Sequence, residues 1–289
     1  MHTISGISKG STRVKKDIRI IALDLDGTLL DSDKKLSERN YQALKTAAEK
    51  GIEIVPTTGR FYGMLPNNIK DLPFVNYVIT VNGASVYDVR EKKNIAEANI
   101  PLDTAIEVMK YLDQYDCIYD CYMDDGAYIS RWMWERIEEF PLNVHYHKMW
   151  KDQRQPVDDL KTFLKEQGKG IQKTQCLVKD LSLRNQLLAE APHLFPQILT
   201  TSSLDINVEF NDIHASKGQA LVSLAEHLGC TAENVMSFGD GLNDLSMIKE
   251  AGTGIAMANS CREVLEAAND IVSDNDHDGV AEGIERYCF

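Results

Sequence analysis

Apolar and polar positions follow two different rhythms along this chain. Residues 18–23 are a short apolar run that stops at Asp24, the pattern of a buried parallel strand. Residues 24–33 are loop-like and rich in carboxylates. Ser37 is placed to cap a helix whose apolar positions Tyr41, Leu44 and Ala48 recur at helical spacing, and Gly51 ends it. Residues 52–55 predict a second strand running into Thr57-Thr58-Gly59-Arg60, and residues 77–81 a third running into Asn82-Gly83. The same alternation resumes near the C-terminus. A helix over 216–228 ends at Gly229, and a strand over 235–238 runs into Gly239-Asp240-Gly241. A helix over 242–249, a short strand over 254–256 and a last helix over 279–287 follow. Strand and helix in turn predict an α/β fold, a doubly wound parallel sheet covered by helices.

The middle of the chain reads differently. Residues 86–211 hold alternating stretches at 117–123, 127–130 and 205–210, separated by helical patterns at 103–112, 157–167 and 181–191. Trp132, Trp134 and Trp150 all lie here. This predicts a second α/β unit with an antiparallel sheet, inserted into a first unit made of 18–85 and 212–289. Residues 1–17 are polar and basic and read as a loose leader without the apolar middle of a secretory signal.

Charge narrows the partners. The 289 residues carry 31 Lys+Arg against 44 Asp+Glu, a formal net charge of −13, which argues against nucleic acid or an anionic membrane as the main partner. No apolar run approaches the ~20 residues of a spanning helix. Cys117, Cys121, Cys176, Cys230, Cys261 and Cys288 form no CxxC pair, so reduced thiols and a cytoplasmic setting are expected.

Four short stretches carry candidate chemistry, each at a strand end or helix start. Asp24-Leu25-Asp26-Gly27-Thr28 places two carboxylates two residues apart on a loop, where one can attack while the other moves a proton. Thr58 with Gly59 offers a hydroxyl and a backbone N–H to an anion. Lys217 opens a helix and can neutralise a phosphate or a carboxylate. Gly239-Asp240-Gly241-Leu242-Asn243-Asp244 is a second acidic loop whose hard oxygen ligands suit Mg²⁺. Each stretch alone has an ordinary reading as a capped turn or a solvated charge.

Together, and in this order, they resemble the haloacid dehalogenase (HAD) superfamily of phosphatases. The strings PTTGR, VNGA, SKGQAL and GDGLND resemble its Cof-type subfamily more narrowly. The resemblance runs from Ile18 to the C-terminus and is topological only in the insert. It implies that Asp24 is the nucleophile, forming an aspartyl-phosphate, and that Asp26 is the general acid and base. It implies that Thr58 and Lys217 bind the transferring phosphoryl group, with backbone donors from Leu25 and Gly59, the side-chain amide of Asn243, and Asn82 near the substrate. Mg²⁺ would be held by Asp24, the Asp26 carbonyl and Asp240, with Asp244 orienting a bound water, while Thr28 braces the loop. The insert would be a cap that shapes substrate choice. No proline or glycine stands between Asn211 and Ser216, where relatives commonly have them at the hinge.

Arg131, Trp132, His145, His147, Lys148 and Arg154 are candidates for touching the rest of a substrate. Each has a plainer reading: Trp132 in the cap core, Arg131 and Lys148 as solvated charges, the histidines at exposed strand positions. The function expected is Mg²⁺-dependent hydrolysis of small phosphorylated metabolites, sugar phosphates first among them. The alternatives are a phosphomutase and a catalytically silent phosphometabolite-binding regulator. Oligomeric state is not readable.

Overall fold

The computed structural model describes residues 16–289; residues 1–15, most of the expected leader, and the His145 side chain lie outside the described residues. Strands β1 (Ile20–Leu23) and β2 (Glu53–Pro56) pair in parallel. β3 (Tyr77–Thr80) runs parallel beside β2 through isolated bridges, Ile54 with Val75 and Thr57 with Ile79. β4 (Ser85–Asp88) and β5 (Lys93–Glu97) then continue from β3 as antiparallel partners. The insert expected to open at residue 86 therefore opens later. Val86 packs with the first unit's core, whereas the second hydrophobic cluster begins at Ile100.

The insert contributes β6 (Cys117–Met123), β7 (Gly126–Ser130), β8 (Gln155–Val157), β9 (Lys173–Val178), β10 (Ile198–Thr201) and β11 (Asn207–Asp212). They form one sheet in the order β10-β11-β9-β6-β7-β8, antiparallel except for β7 with β8. Val208 and Phe210 of β11 join the hydrophobic cluster of the insert, while Asn207, Glu209 and Asn211 are buried but polar. That period of two gives the sheet one apolar face and one polar face.

The chain then returns to the first sheet with β12 (Val235–Gly239), β13 (Thr253–Met257) and β14 (Asp270–Val272). The order β14-β13-β12-β1-β2 is parallel throughout, with β1 between β12 and β2. β1 is buried on both faces. Ile20 and Ala22 pack under helix Lys217–His227, and Ile21 and Leu23 under helices Glu38–Glu49 and Gly279–Cys288. Each of the Ile and Leu side chains stabilises the fold by about 1.5–3 kcal/mol. Ser37 caps helix Glu38–Glu49 as expected, its Oγ accepting from the Asn40 N–H at 3.1 Å.

Two local expectations fail. His145 and His147 lie in helix Val144–Gln153, capped by Asn143, and not on a strand. Trp132 is about half exposed, beneath the Arg136 guanidinium, while Trp150 is the buried tryptophan. All six cysteines are free thiols. Among the described residues no helix is long and apolar enough to cross a membrane.

Candidate active site

β1 has β12 on one side and β2 on the other, so the connections leave it in opposite directions. A doubly wound sheet opens a crevice beyond the carboxyl ends of its strands at such a point. The loops after β1, β2 and β12 meet there. Gly27, at a φ of +88°, lets the first loop lie against the third: a Cβ on it would stand 2.5 Å from Asp240 Oδ2.

Asp24 is buried at the end of β1, its N–H donating to the Phe238 carbonyl at 3.0 Å. Lys217 reaches it from the first turn of helix Lys217–His227, where Ser216 is the N-cap. The Lys217 Nζ donates to Asp24 Oδ1 at 2.5 Å and to Asp244 Oδ1 at 2.6 Å, and its side chain is fully buried. Asp244 is fixed further by the N–H groups of Asp240 and Gly241, each donating to Oδ2 at 2.9 Å. Thr28 donates to Asp240 Oδ1 at 2.7 Å, so its hydroxyl does brace the loop. Carboxylate oxygens of Asp24, Asp240 and Asp244 all lie within 4.8 Å of one another. Three carboxylates thus face one ammonium, and the excess negative charge in an oxygen-only pocket fits a hard divalent cation.

The titration behaviour follows from this crowding. Burial pushes the Asp24 carboxyl up; Lys217 pulls it down, and Asp244 and Asp240 add to the rise. Burial and then Asp244 push Asp240 up to about 6. Burial alone would lower Lys217, but Asp24 and Asp244 outweigh it and hold the ammonium charged.

Asp26 stands apart from the three. Arg60 grips it with two bonds, Nη2 to Oδ1 at 2.8 Å and Nε to Oδ2 at 3.0 Å, and Lys34 Nζ lies 2.9 Å from Oδ1. Burial would raise this carboxyl, but Arg60 and then Lys34 hold it below its usual range.

The two threonines divide. Thr57 turns its hydroxyl to the Val55 carbonyl at 3.1 Å, whereas Thr58 lines the cavity and accepts from the Arg60 N–H at 3.3 Å. Leu25 is fully buried behind Asp24, and Gly59 lines the cavity beside Thr58. Asn243 donates to Asn82 Oδ1 at 3.4 Å. Asn82 sits in a turn where Val81, Asn82 and Gly83 all have positive φ, +52°, +59° and +97°. A Cβ on Gly83 would lie 2.2 Å from the Ser216 carbonyl oxygen, so glycine is required where this turn meets the Lys217 helix.

Above these loops lies a cavity of about 1220 Å³, closed on its far side by the polar face of the insert. Tyr122, Arg154, Lys173, Gln175 and Glu209 line it. Arg154 Nε donates to Asp120 Oδ2 at 2.7 Å and Nη2 to the Tyr122 hydroxyl at 3.1 Å, and its guanidinium stacks 3.8 Å from the Trp150 ring. Of the insert candidates, Arg154 and Lys148 line the cavity. Arg131 is exposed beside Asp158, and His147 bonds the Phe140 carbonyl. Trp132 does not line it.

Arg60, Lys34, Lys173 and Glu209 are site residues that motif reading passes over. Arg60 was in view beside Gly59. A polar residue at every second position of β11 and a lysine in β9 were the available signals for Glu209 and Lys173.

The sequence profile of the haloacid dehalogenase-like hydrolases matches residues 21–284. A 5-amino-6-(5-phospho-D-ribitylamino)uracil phosphatase from Bacillus subtilis is 32% identical over 273 residues, covering 94% of this chain and 97% of its own length. A pyridoxal phosphate phosphatase from Escherichia coli is 29% identical over 275 residues, covering 92% and 97%. The crystal structure of a haloacid dehalogenase-like hydrolase from Bacteroides thetaiotaomicron superposes with a TM-score of 0.76 at 29% identity, covering 93% of this chain and 99% of that one.

Proposed function

Because the chain belongs to the haloacid dehalogenase-like hydrolases and is a phosphatase of small phosphorylated compounds, we propose that it works through an aspartyl-phosphate on Asp24 with Mg²⁺ as cofactor. The observation that carries this reading is the clustering of Asp24, Asp240 and Asp244 at the switch point, with Lys217 bonded to Asp24 and Asp244. In it, Asp24, the Asp26 carbonyl and Asp240 would hold Mg²⁺, with Asp244 beside them to orient a water. Bound there, Mg²⁺ supplies positive charge to the transferring phosphoryl group.

The side chains do the rest. Lys217 engages Asp24 Oδ1, and Oδ2 is the oxygen that meets phosphorus. Thr58, Lys217, Asn243 and the Leu25 and Gly59 N–H groups surround the phosphoryl oxygens, where fixed donors stabilise a loose transition state. Asp26, held as a carboxylate by Arg60 and Lys34, is in the form that takes a proton from water in the second step. To protonate the leaving oxygen in the first step it must part from both cations and first take up a proton, from solvent or from the singly protonated substrate phosphate. The phosphate of an arriving substrate, itself an anion, competes for them.

The substrate is a phosphorylated sugar or polyol. The insert wall is dense in hydrogen-bonding groups, and the Bacillus subtilis relative is named for a substrate with a phosphorylated ribityl chain. Asn82 is buried and does not itself line the cavity, but it bonds Glu209 and Asn243, which do.

The test is hydrolysis of an aryl phosphate and a panel of sugar phosphates. Activity is expected with Mg²⁺, with loss in EDTA and a drop on the order of 10⁴-fold or more for Asp24→Asn. Free phosphate as product separates hydrolysis from transfer back to the sugar. Full activity of Asp24→Asn would end the proposal.

A further inference from the structure

Lys173 and Glu209 form a buried ion pair on the insert, Nζ to Oε1 at 3.0 Å, with each side chain only 2–3% exposed. A buried pair of this kind adds little stability over well-packed apolar residues, because desolvation offsets the attraction. Its place in the cavity wall suggests another use, and one further bond of each partner, Lys173 to Gly59 and Asn82 to Glu209, leads to the loops of the phosphate cradle.

The Lys173 Nζ also donates to the Gly59 carbonyl at 3.3 Å and lies 4.4 Å over the Tyr122 ring. That carbonyl belongs to the peptide whose N–H, on Arg60, donates to Thr58 Oγ1. One peptide plane is thus pinned at both ends, by Lys173 on its oxygen and by the Thr58 hydroxyl on its nitrogen. Glu209 extends the chain on the other side. Its Oε2 accepts from Asn82 Nδ2 at 2.8 Å, and Asn82 in turn accepts from Asn243. Ser203 Oγ, at 3.0 Å from Oε1, holds Glu209 in place. From Gly59 to Asn243 the bonds are continuous, and they join the insert to three separate loops of the site.

We propose that Lys173 and Glu209 are positioning residues: from the insert they set the Thr58-Gly59-Arg60 loop and Asn82, so that the phosphate cradle is complete only with the insert seated, whatever the leaving group. This rests on the phosphatase reading above. It differs from the ordinary role of an insert wall, which is to touch the leaving group.

The test compares wild type with Lys173→Met, Glu209→Gln and the double variant, which leaves no unpaired buried charge and so carries the test if a single variant fails to fold. The substrates are acetyl phosphate, whose leaving group is too small to reach the insert wall, and a sugar phosphate. Orthophosphate binding with Mg²⁺, read by calorimetry, gives a measurement that needs no turnover. Loss of positioning predicts that kcat/KM falls by the same factor for both substrates, roughly 10²-fold, mostly in kcat, and that orthophosphate affinity falls with it. Glu209→Gln, which keeps a carbonyl oxygen as acceptor, is expected to lose less than Lys173→Met. Loss confined to the sugar phosphate, or no loss in the double variant, overturns the proposal. A wild type inactive on every phosphate sinks the phosphatase reading instead, and the orthophosphate measurement still decides the positioning role.

Discussion

The two walls of the cavity treat charge in opposite ways. On the core side, Asp24, Asp240 and Asp244 cluster around one ammonium that bonds only two of them, so this cluster carries excess negative charge, while Asp26 beside it is paired with Arg60 and Lys34. On the insert side each buried cation has its own carboxylate, Lys173 with Glu209 and Arg154 with Asp120. The unbalanced wall suits metal and phosphate chemistry. The balanced wall repels neither sign strongly, which suits a polar, uncharged leaving group. In the proposed function, reaction falls to one face and selection to the other, with Lys173 and Glu209 as the stitch between them.

The sharpest break of this division is at Asp26. Asp26→Asn should slow kcat by roughly 10²–10⁴-fold, the usual worth of general acid–base catalysis, while orthophosphate affinity holds. Steady-state kinetics with phosphate as product inhibitor measures both, and an unchanged kcat would remove Asp26 from its role. Next comes the selecting wall. The paired change Arg154→Met with Asp120→Asn avoids a stranded charge, whose cost would be about 3–5 kcal/mol. It should lower kcat/KM for sugar phosphates by on the order of 10-fold, the worth of one good hydrogen bond, and leave acetyl phosphate untouched. Equal loss on both substrates would place Arg154 with the reaction instead.

The smallest expected effect is on stability. Asp240 titrates near 6 in the folded chain against an ordinary 3.8. A raised folded value means its contribution favours the folded state at low pH and is lost as pH rises through 6. Without a divalent ion the protein should therefore melt a few degrees higher at pH 5 than this one group allows at pH 7.5. Mg²⁺ should raise Tm more at pH 7.5 than at pH 5, since protons compete for the same oxygens. A Mg²⁺ gain independent of pH, measured by calorimetry, would move the ion elsewhere.

What could be read in advance follows from range along the chain. β1, β2 and β12 were legible because a parallel strand buried on both faces is apolar without interruption and ends in a polar loop. Asp24, Thr58 and Asp240 follow those ends, and Lys217 opens a capped helix. The insert was harder. Residues 144–153 carry a weak apolar pattern, Val144 with Trp150, and their helix depends on the Asn143 cap and on packing of Trp150 against the insert core. β4 and β5 alternate as an antiparallel pair does, and only their partner β3 places them with the first unit. The bonds from Lys173 to Gly59 and from Glu209 to Asn82 span 114 and 127 residues. No local rhythm encodes a meeting at that separation.

Val81 sets one further condition. A β-branched residue at a φ of +52° is held in a conformation that its own side chain opposes, at a cost of about 1–3 kcal/mol. The turn is a loaded spring, compressed by the sheet on one side and the Lys217 helix on the other, with Asn82 at its tip. Val81 is itself fully buried among Phe61, Ala84 and Ala215, and that burial, worth about 1.5–3 kcal/mol, offsets the strain. Apolar packing thus holds in place the backbone bend at which Asn82 is aimed.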